Sequence, residues 1–232
     1  MIPGAVVWNG LPASQRRMIM LLGAAIVAAN IAQPYPDLAP LQHGPTVLLL
    51  LVAPWLLRRW PLSTRAVVSL WLFLLLHTLA ARYIYSYVPY DEWARLVFGR
   101  DVSGIFGWKR NGFDRLVHFA FGALLTLPVA EAARRFGRLR RGWSLAFAFA
   151  AIGLGSAVYE IFEWLLTIVA AGETADYYNG QQGDVWDPQK DMAAAQIGSL
   201  IALAVAATGQ WSQRARMDIL SVVPRKPEKE RP

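Results

Sequence analysis

WSLAFAFAAIGLGSAVYEIFEWLLTIVAA, residues 143–171, decides the fold. The run exceeds the ~20 apolar residues that carry an α-helix across a ~30 Å hydrocarbon core, and Glu160 and Glu163 are its only charged residues. Ionisable groups inside a membrane are expensive and are kept for function or pairing. Two carboxylates one helical turn apart repel when both are ionised, so they need a cation, a shared proton or basic partners.

Around this run, the chain of 232 residues is 55% hydrophobic and alternates apolar stretches with short charged loops. That pattern predicts an all-α, polytopic membrane helix bundle with about six transmembrane helices. The spans are expected near 18–32, 41–57, 66–87, 114–133, 143–171 and 191–210, inside a membrane domain of 1–210. The strictly apolar part of the second starts at Thr46. Extending it back to Leu41 puts Pro45 in the first turn and makes Pro54 a kink.

Basic residues set the orientation. Arg16 and Arg17 precede the first span; Arg58, Arg59 and Arg65 separate the second and third; Arg134, Arg135, Arg138, Arg140 and Arg141 separate the fourth and fifth. Arg214, Arg216, Arg225, Lys226, Lys229 and Arg231 follow the last. Positively charged loops are retained in the cytoplasm, so both termini are expected there, with 211–232 a basic, disordered tail. This bias accounts for much of the net charge of +7, so no nucleic-acid partner is called for. The absence of cysteine excludes a disulfide framework and any thiolate metal site. Arg16-Arg17, a short apolar run and Asn30-Ile31-Ala32 also resemble a signal peptide with its cleavage site, which would leave five spans in the same orientation.

In this topology the fourth span starts at the outer end with Asp114 and His118, four apart and on one face. Glu160 lies ~17 residues along the outward-running fifth span, ~26 Å at ~1.5 Å per residue, with Glu163 one turn on. The last span begins with Asp187 as N-cap, Pro188 in the first helical position and Asp191 one turn in. Three consecutive helices thus deliver Asp114, His118, Glu160, Glu163, Asp184, Asp187 and Asp191 to one level under the outer surface. Gly153, Gly155, Ser156 and Gly198 would let the last two spans approach closely. Plainer explanations stand beside a site: Asp187 before Pro188 is ordinary helix-start chemistry, Asp114 could neutralise Arg115, and Arg115 with Lys190 could hold the acids in a salt-bridge network.

These residues also carry a resemblance. Phe113-Asp114-Arg115-Leu116-Val117-His118-Phe119, Tyr159-Glu160-Ile161-Phe162-Glu163-Trp164 and Gly183-Asp184-Val185-Trp186-Asp187-Pro188-Gln189-Lys190-Asp191-Met192 look like the YjdF-type family of bacterial inner-membrane proteins. The likeness spans roughly Arg82 to Ala207. The motif order, an Asp and His opening one helix, an acid in the next and an Asp pair entering the last, also resembles the VanZ-like family linked to glycopeptide resistance. The YjdF-type resemblance implies the bacterial cytoplasmic (inner) membrane and brings no activity with it.

One His among up to six carboxylates is a hard ligand set suited to magnesium, manganese or calcium, and to zinc if the His and two acids close in. Asp184-x-x-Asp187-x-x-x-Asp191 has the kind of spacing by which membrane enzymes hold magnesium against a diphosphate or lipid phosphate. A divalent ion there would bridge phosphate oxygens, Arg115 would clamp the phosphate, and His118 or Glu163 would act as general base. One expectation is therefore a metal-dependent membrane enzyme, for phosphoryl transfer or hydrolysis, facing the periplasm and acting on a lipid-linked or phosphate-containing substrate. A second is a proton- or cation-coupled carrier, with His77 and Arg82 extending a relay inward. A third is a non-catalytic envelope component. Residues 89–108, where Tyr90, Trp93, Leu96, Val97, Phe98, Ile105 and Phe106 interleave with charge, are expected to lie among the lipid headgroups.

Overall fold

The computed structural model describes residues 4–169 and 181–208. The expected basic tail and the last residues of the fifth and sixth spans lie outside the described residues. The described residues form α1 (Gly4–Asn9), α2 (Ala13–Ala29), α3 (Ala39–Arg59), α4 (Thr64–Arg82), α5 (Tyr90–Phe98), α6 (Val102–Phe106), α7 (Phe113–Arg135), α8 (Arg141–Val169) and α9 (Asp187–Ala207), without a strand among them. Helices α3, α4, α7, α8 and α9 are each long and apolar enough to cross a membrane. The 17 residues of α2 rise about 26 Å, the lower limit for a span. The chain is an all-helical, multi-pass membrane bundle with about six spans.

Helix α7 is the hub, packing on α4, α8 and α9, while α2, α3 and α4 pack on one another. In a lipid environment helices gain little from burying apolar surface against each other, so close backbone approach decides which pairs are tight. Gly122 of α7 and Gly198 of α9 provide it: a Cβ on Gly122 would run into the Ala195 carbonyl, and one on Gly198 into the Phe119 carbonyl. One turn along, Thr126 and Ser199 share a 2.7 Å hydrogen bond across the same seam. Gly198, expected to serve the contact between the last two spans, therefore serves α7 with α9. Gly153 does face α9, through the Gln196 side chain.

Two ends of the bundle can be told apart. At one, the arginines that set the expected topology also fasten the loops. Arg135 donates to the Pro61 carbonyl, Arg141 to Ala206 at 2.7 Å, and Arg58 to Gly10 at 3.3 Å. Buried Glu131 accepts from the N–H and hydroxyl of Ser63, both at 2.6 Å. The other end is where Asp114 lies. There α4 stops at Arg82 rather than at the expected Tyr87, because Ile84 and Tyr85 take positive φ (47° and 54°) and fold the chain back so that Tyr85 hydrogen-bonds His77. Arg82, expected in an inward relay, instead donates to carbonyls after α2, including Ile31 at 2.8 Å. Helices α5 and α6 leave Leu96, Val97, Phe98, Ile105 and Phe106 exposed, as a segment resting in the headgroup layer would.

Candidate metal centre

The loop before α7 is tied on two sides. The Asn111 side chain accepts from the Phe113 N–H at 3.0 Å and donates to the Val88 carbonyl at 2.8 Å. Its backbone exchanges two hydrogen bonds with the Gln182 side chain, at 2.9 and 3.1 Å. Residues 181–186 are thereby held against the start of α7, and α9 begins beside its first turns.

An ion-pair layer forms there. Trp186, not Asp187, occupies the N-cap of α9 and no side chain caps the helix. The Asp187 carboxylate accepts from Arg110 and, at 3.0 Å, from Arg115, since charged donors hold a carboxylate more strongly than backbone N–H groups do. Arg115 also binds Asp184 at 2.6 Å, and Lys190 binds Asp184 at 2.7 Å. The expected phosphate clamp is thus already shared among acids, reaching Asp191 through Nε at 3.7 Å.

Hydrogen bonds from Lys190 first and Arg115 second hold the Asp184 carboxyl well below the usual carboxylate range. A depressed folded value means that the pairing stabilises fully above the ordinary Asp pKa of ~4 and is lost as pH falls below it. Lys190→Ala should therefore move acid unfolding of the detergent-solubilised protein to higher pH, read by circular dichroism. An unmoved transition would assign the whole effect to Arg115.

Beneath lies a layer poor in cations. Asp114, His118 and Asp191 are buried, and one ligand atom from each lies within 4.8 Å of the others. His118 Nε2 is 3.8 Å from Asp114 Oδ1 and 3.4 Å from Glu160 Oε1. Its Nδ1 is 3.5 Å from the Ser156 hydroxyl, and Tyr159 meets the ring edge-on. Glu160 Oε1 and Asp191 Oδ1 are buried without a hydrogen-bond partner, a condition that costs about 1–3 kcal/mol for a neutral group and more for a charged one. Glu160 Oε1 faces the His118 imidazole and Asp191 Oδ1 the Arg115 Nε at 3.7 Å, neither within a hydrogen bond, and this donor set fits a hard divalent cation. Asp114, His118 and Asp191 could hold a metal ion.

The seven acidic and His residues expected at one level are thus divided. Asp114, His118 and Asp191 form the inner group, with Glu160 bordering it. Asp184 and Asp187 belong to the arginines. Glu163 is half-buried one turn further along α8 and hydrogen-bonded by Tyr159. Arg110, Asn111 and Gln182 were not singled out by sequence, and Ser156 only as a small packing residue; for Arg110 the signal was present, a base one turn ahead of Asp114.

The chain belongs to the family described as Predicted membrane protein (DUF2238), whose profile matches residues 15–211. It is similar to "Inner membrane protein YjdF" of Escherichia coli (strain K12), with 31% identity over 165 residues, 71% of this chain and 75% of that protein. No solved structure matches the chain.

Proposed function

We propose that this is a bacterial inner-membrane protein whose Asp114, His118 and Asp191, bordered by Glu160, bind a divalent metal at the outer face and act on a phosphate-containing, lipid-linked substrate. The observation that carries this is the surplus of buried carboxylate. Asp114, Glu160 and Asp191 crowd around one imidazole; Arg115 touches this group through Asp191 at 3.7 Å, while Arg110, Arg115 and Lys190 make their shorter contacts with Asp184 and Asp187. The inner-membrane assignment leans on the similar protein's name, and the outward orientation on the arginines at the opposite end.

When bound, magnesium, manganese or zinc would supply Lewis-acid stabilisation of charge on phosphate oxygens. The residues around it have separable tasks. Lys109 lines a cavity of about 660 Å³ with Trp108, Arg110, Arg115 and Asp184, where its charge would attract an anion while the two arginines stay with their acids. Glu160 and Glu163 line a cavity of about 620 Å³ with Asp187 and Trp164, where Glu163 would take a proton from an attacking water. The alternative of a carrier draws less support, because His77 pairs with Tyr85 near the Asp114 end and adds no step toward the opposite one.

Calorimetric titration of EDTA-stripped protein tests the proposal. A single saturable site for Mn2+, with Mg2+ or Zn2+ competing, is expected. Protein that binds none of the three would be a salt-bridged scaffold.

A further inference from the structure

A cavity of about 290 Å³ adjoins His118 on the side away from the ion-pair layer, at the lower end of the range for small-molecule sites. Its lining changes character with depth. Thr46, His77, His118 and Tyr159 face it nearer the Asp114 end, and Leu49, Phe73, Phe121 and Gly155, about one turn deeper on the same four helices, face it toward the middle. With Pro45 and Val117 among the upper residues and Ser156 among the deeper ones, the lining grades from mixed to mostly apolar, the complement of an amphiphile whose head lies at the metal group.

The deep end is bounded by Leu49, Phe73 and Leu74. Leu49, Phe73 and Leu74 also line a second cavity of about 620 Å³ between α2, α3, α4 and α7, whose walls include Leu22, Leu50, Leu57 and Trp71. The two share one apolar wall and together run from the His118 level toward the arginine-rich end. On the lipid side, α3 packs on α2 and α4, and α8 on α7 and α9, whereas α3 and α8 border the first cavity without packing substantially on each other. Leu49, at this gap, is 40% exposed. A chain lying in the bilayer could therefore enter sideways without passing the headgroup layer.

We propose that these two adjoining cavities, with the Leu49 side chain swung aside, seat the hydrocarbon chain of a long-chain alkyl or polyprenyl phosphate, entering between α3 and α8, with its phosphate at the Asp114–His118–Asp191 level. This rests on the phosphate reading given above only for the head group; the chain site stands on cavity shape and lining. It assigns Leu49 the role of specificity-determining residue at the junction, where side-chain size limits chain length.

The test is photolabelling of the full-length protein in detergent with octyl and hexadecyl phosphates that carry a terminal diazirine, followed by peptide mapping. Octyl phosphate should label the first cavity, around Phe73 and Phe121, and hexadecyl phosphate the second, around Leu50, Leu57 and Trp71. Leu49→Trp should cut hexadecyl labelling of the second cavity several-fold and spare octyl labelling. Labelling spread over outward-facing Leu51 and Val52, or unchanged by Leu49→Trp, overturns the chain site. If hexadecanol bearing the same diazirine labels the cavities as strongly as the phosphate, the chain site is upheld and the phosphate head group is refuted.

Discussion

Gly198→Leu should prevent stable assembly of the bundle. The position faces the Phe119 carbonyl and the Ala123 N–H so closely that even a methyl group would collide with backbone, and backbone cannot rotate away as a flexible side chain can. Relief requires α9 to move off α7, separating Gly122 from Ala195 and breaking the Thr126–Ser199 hydrogen bond. Overpacking commonly costs about 1–3 kcal/mol; a clash against two backbone groups on the tightest seam should exceed about 4 kcal/mol. Thermal unfolding in detergent, followed by tryptophan fluorescence, should show the loss, and Gly198→Ala should show a smaller one. Gly44→Ala provides the control, since nothing lies within 4 Å of its added carbon. Any Gly198→Leu protein that survives should bind metal poorly, because the same displacement carries Asp191 away from Asp114 and His118. A variant with unchanged melting would show that α7 and α9 do not approach as described.

Asp191→Asn and Asp187→Asn should have opposite signatures, although the residues sit one turn apart at the start of α9. Asp191 belongs to the buried group with Asp114 and His118; Asp187 is held by Arg110 and Arg115. Both substitutions keep side-chain shape and remove a charge. Loss of groups that merely orient a ligand costs about 10–100-fold in metal affinity, so loss of Asp191 itself should cost ~100-fold or more. The protein should remain folded and even gain stability without metal, as one member of a crowded carboxylate set is neutralised. Asp187→Asn should leave metal affinity within several-fold and lower stability by about 1–3 kcal/mol, the scale for weakening a buried hydrogen-bonded charge. Mn2+ titration together with melting of each variant checks both halves. Equal loss of metal in the two would merge the layers into one site.

The level at which the acids gather was legible in the sequence, because helical rise and the loop arginines together fix depth. Asp114 with His118 was legible too, as a pair spaced by one turn. The partition between metal-type and ion-paired acids was not. It depends on Arg110, which lies in a loop whose path follows from the Asn111–Gln182 exchange between segments 71 residues apart, and no local pattern encodes such a pairing. Asp187 misled for a physical reason: an Asp before Pro at a helix start usually caps, and here two guanidinium groups outcompete the backbone N–H groups. The end of α4 was overrun because Tyr83, Ile84 and Tyr85 are apolar enough to continue a span, while the left-handed turn at Ile84 and Tyr85 shows no glycine. Small residues were recognised as packing sites, but helical spacing alone does not say which neighbour Gly198 faces.

A crystal of the protein grown with Mn2+, measured at the manganese absorption edge, can locate the ion itself. A single anomalous peak should lie among Asp114, His118 and Asp191, within coordinating distance of a carboxylate oxygen from each Asp and of a His118 ring nitrogen, and should vanish in Asp191→Asn. A manganese-replete crystal with no peak there, or with its peak at Asp184 and Asp187, would contradict the metal centre proposed for this protein.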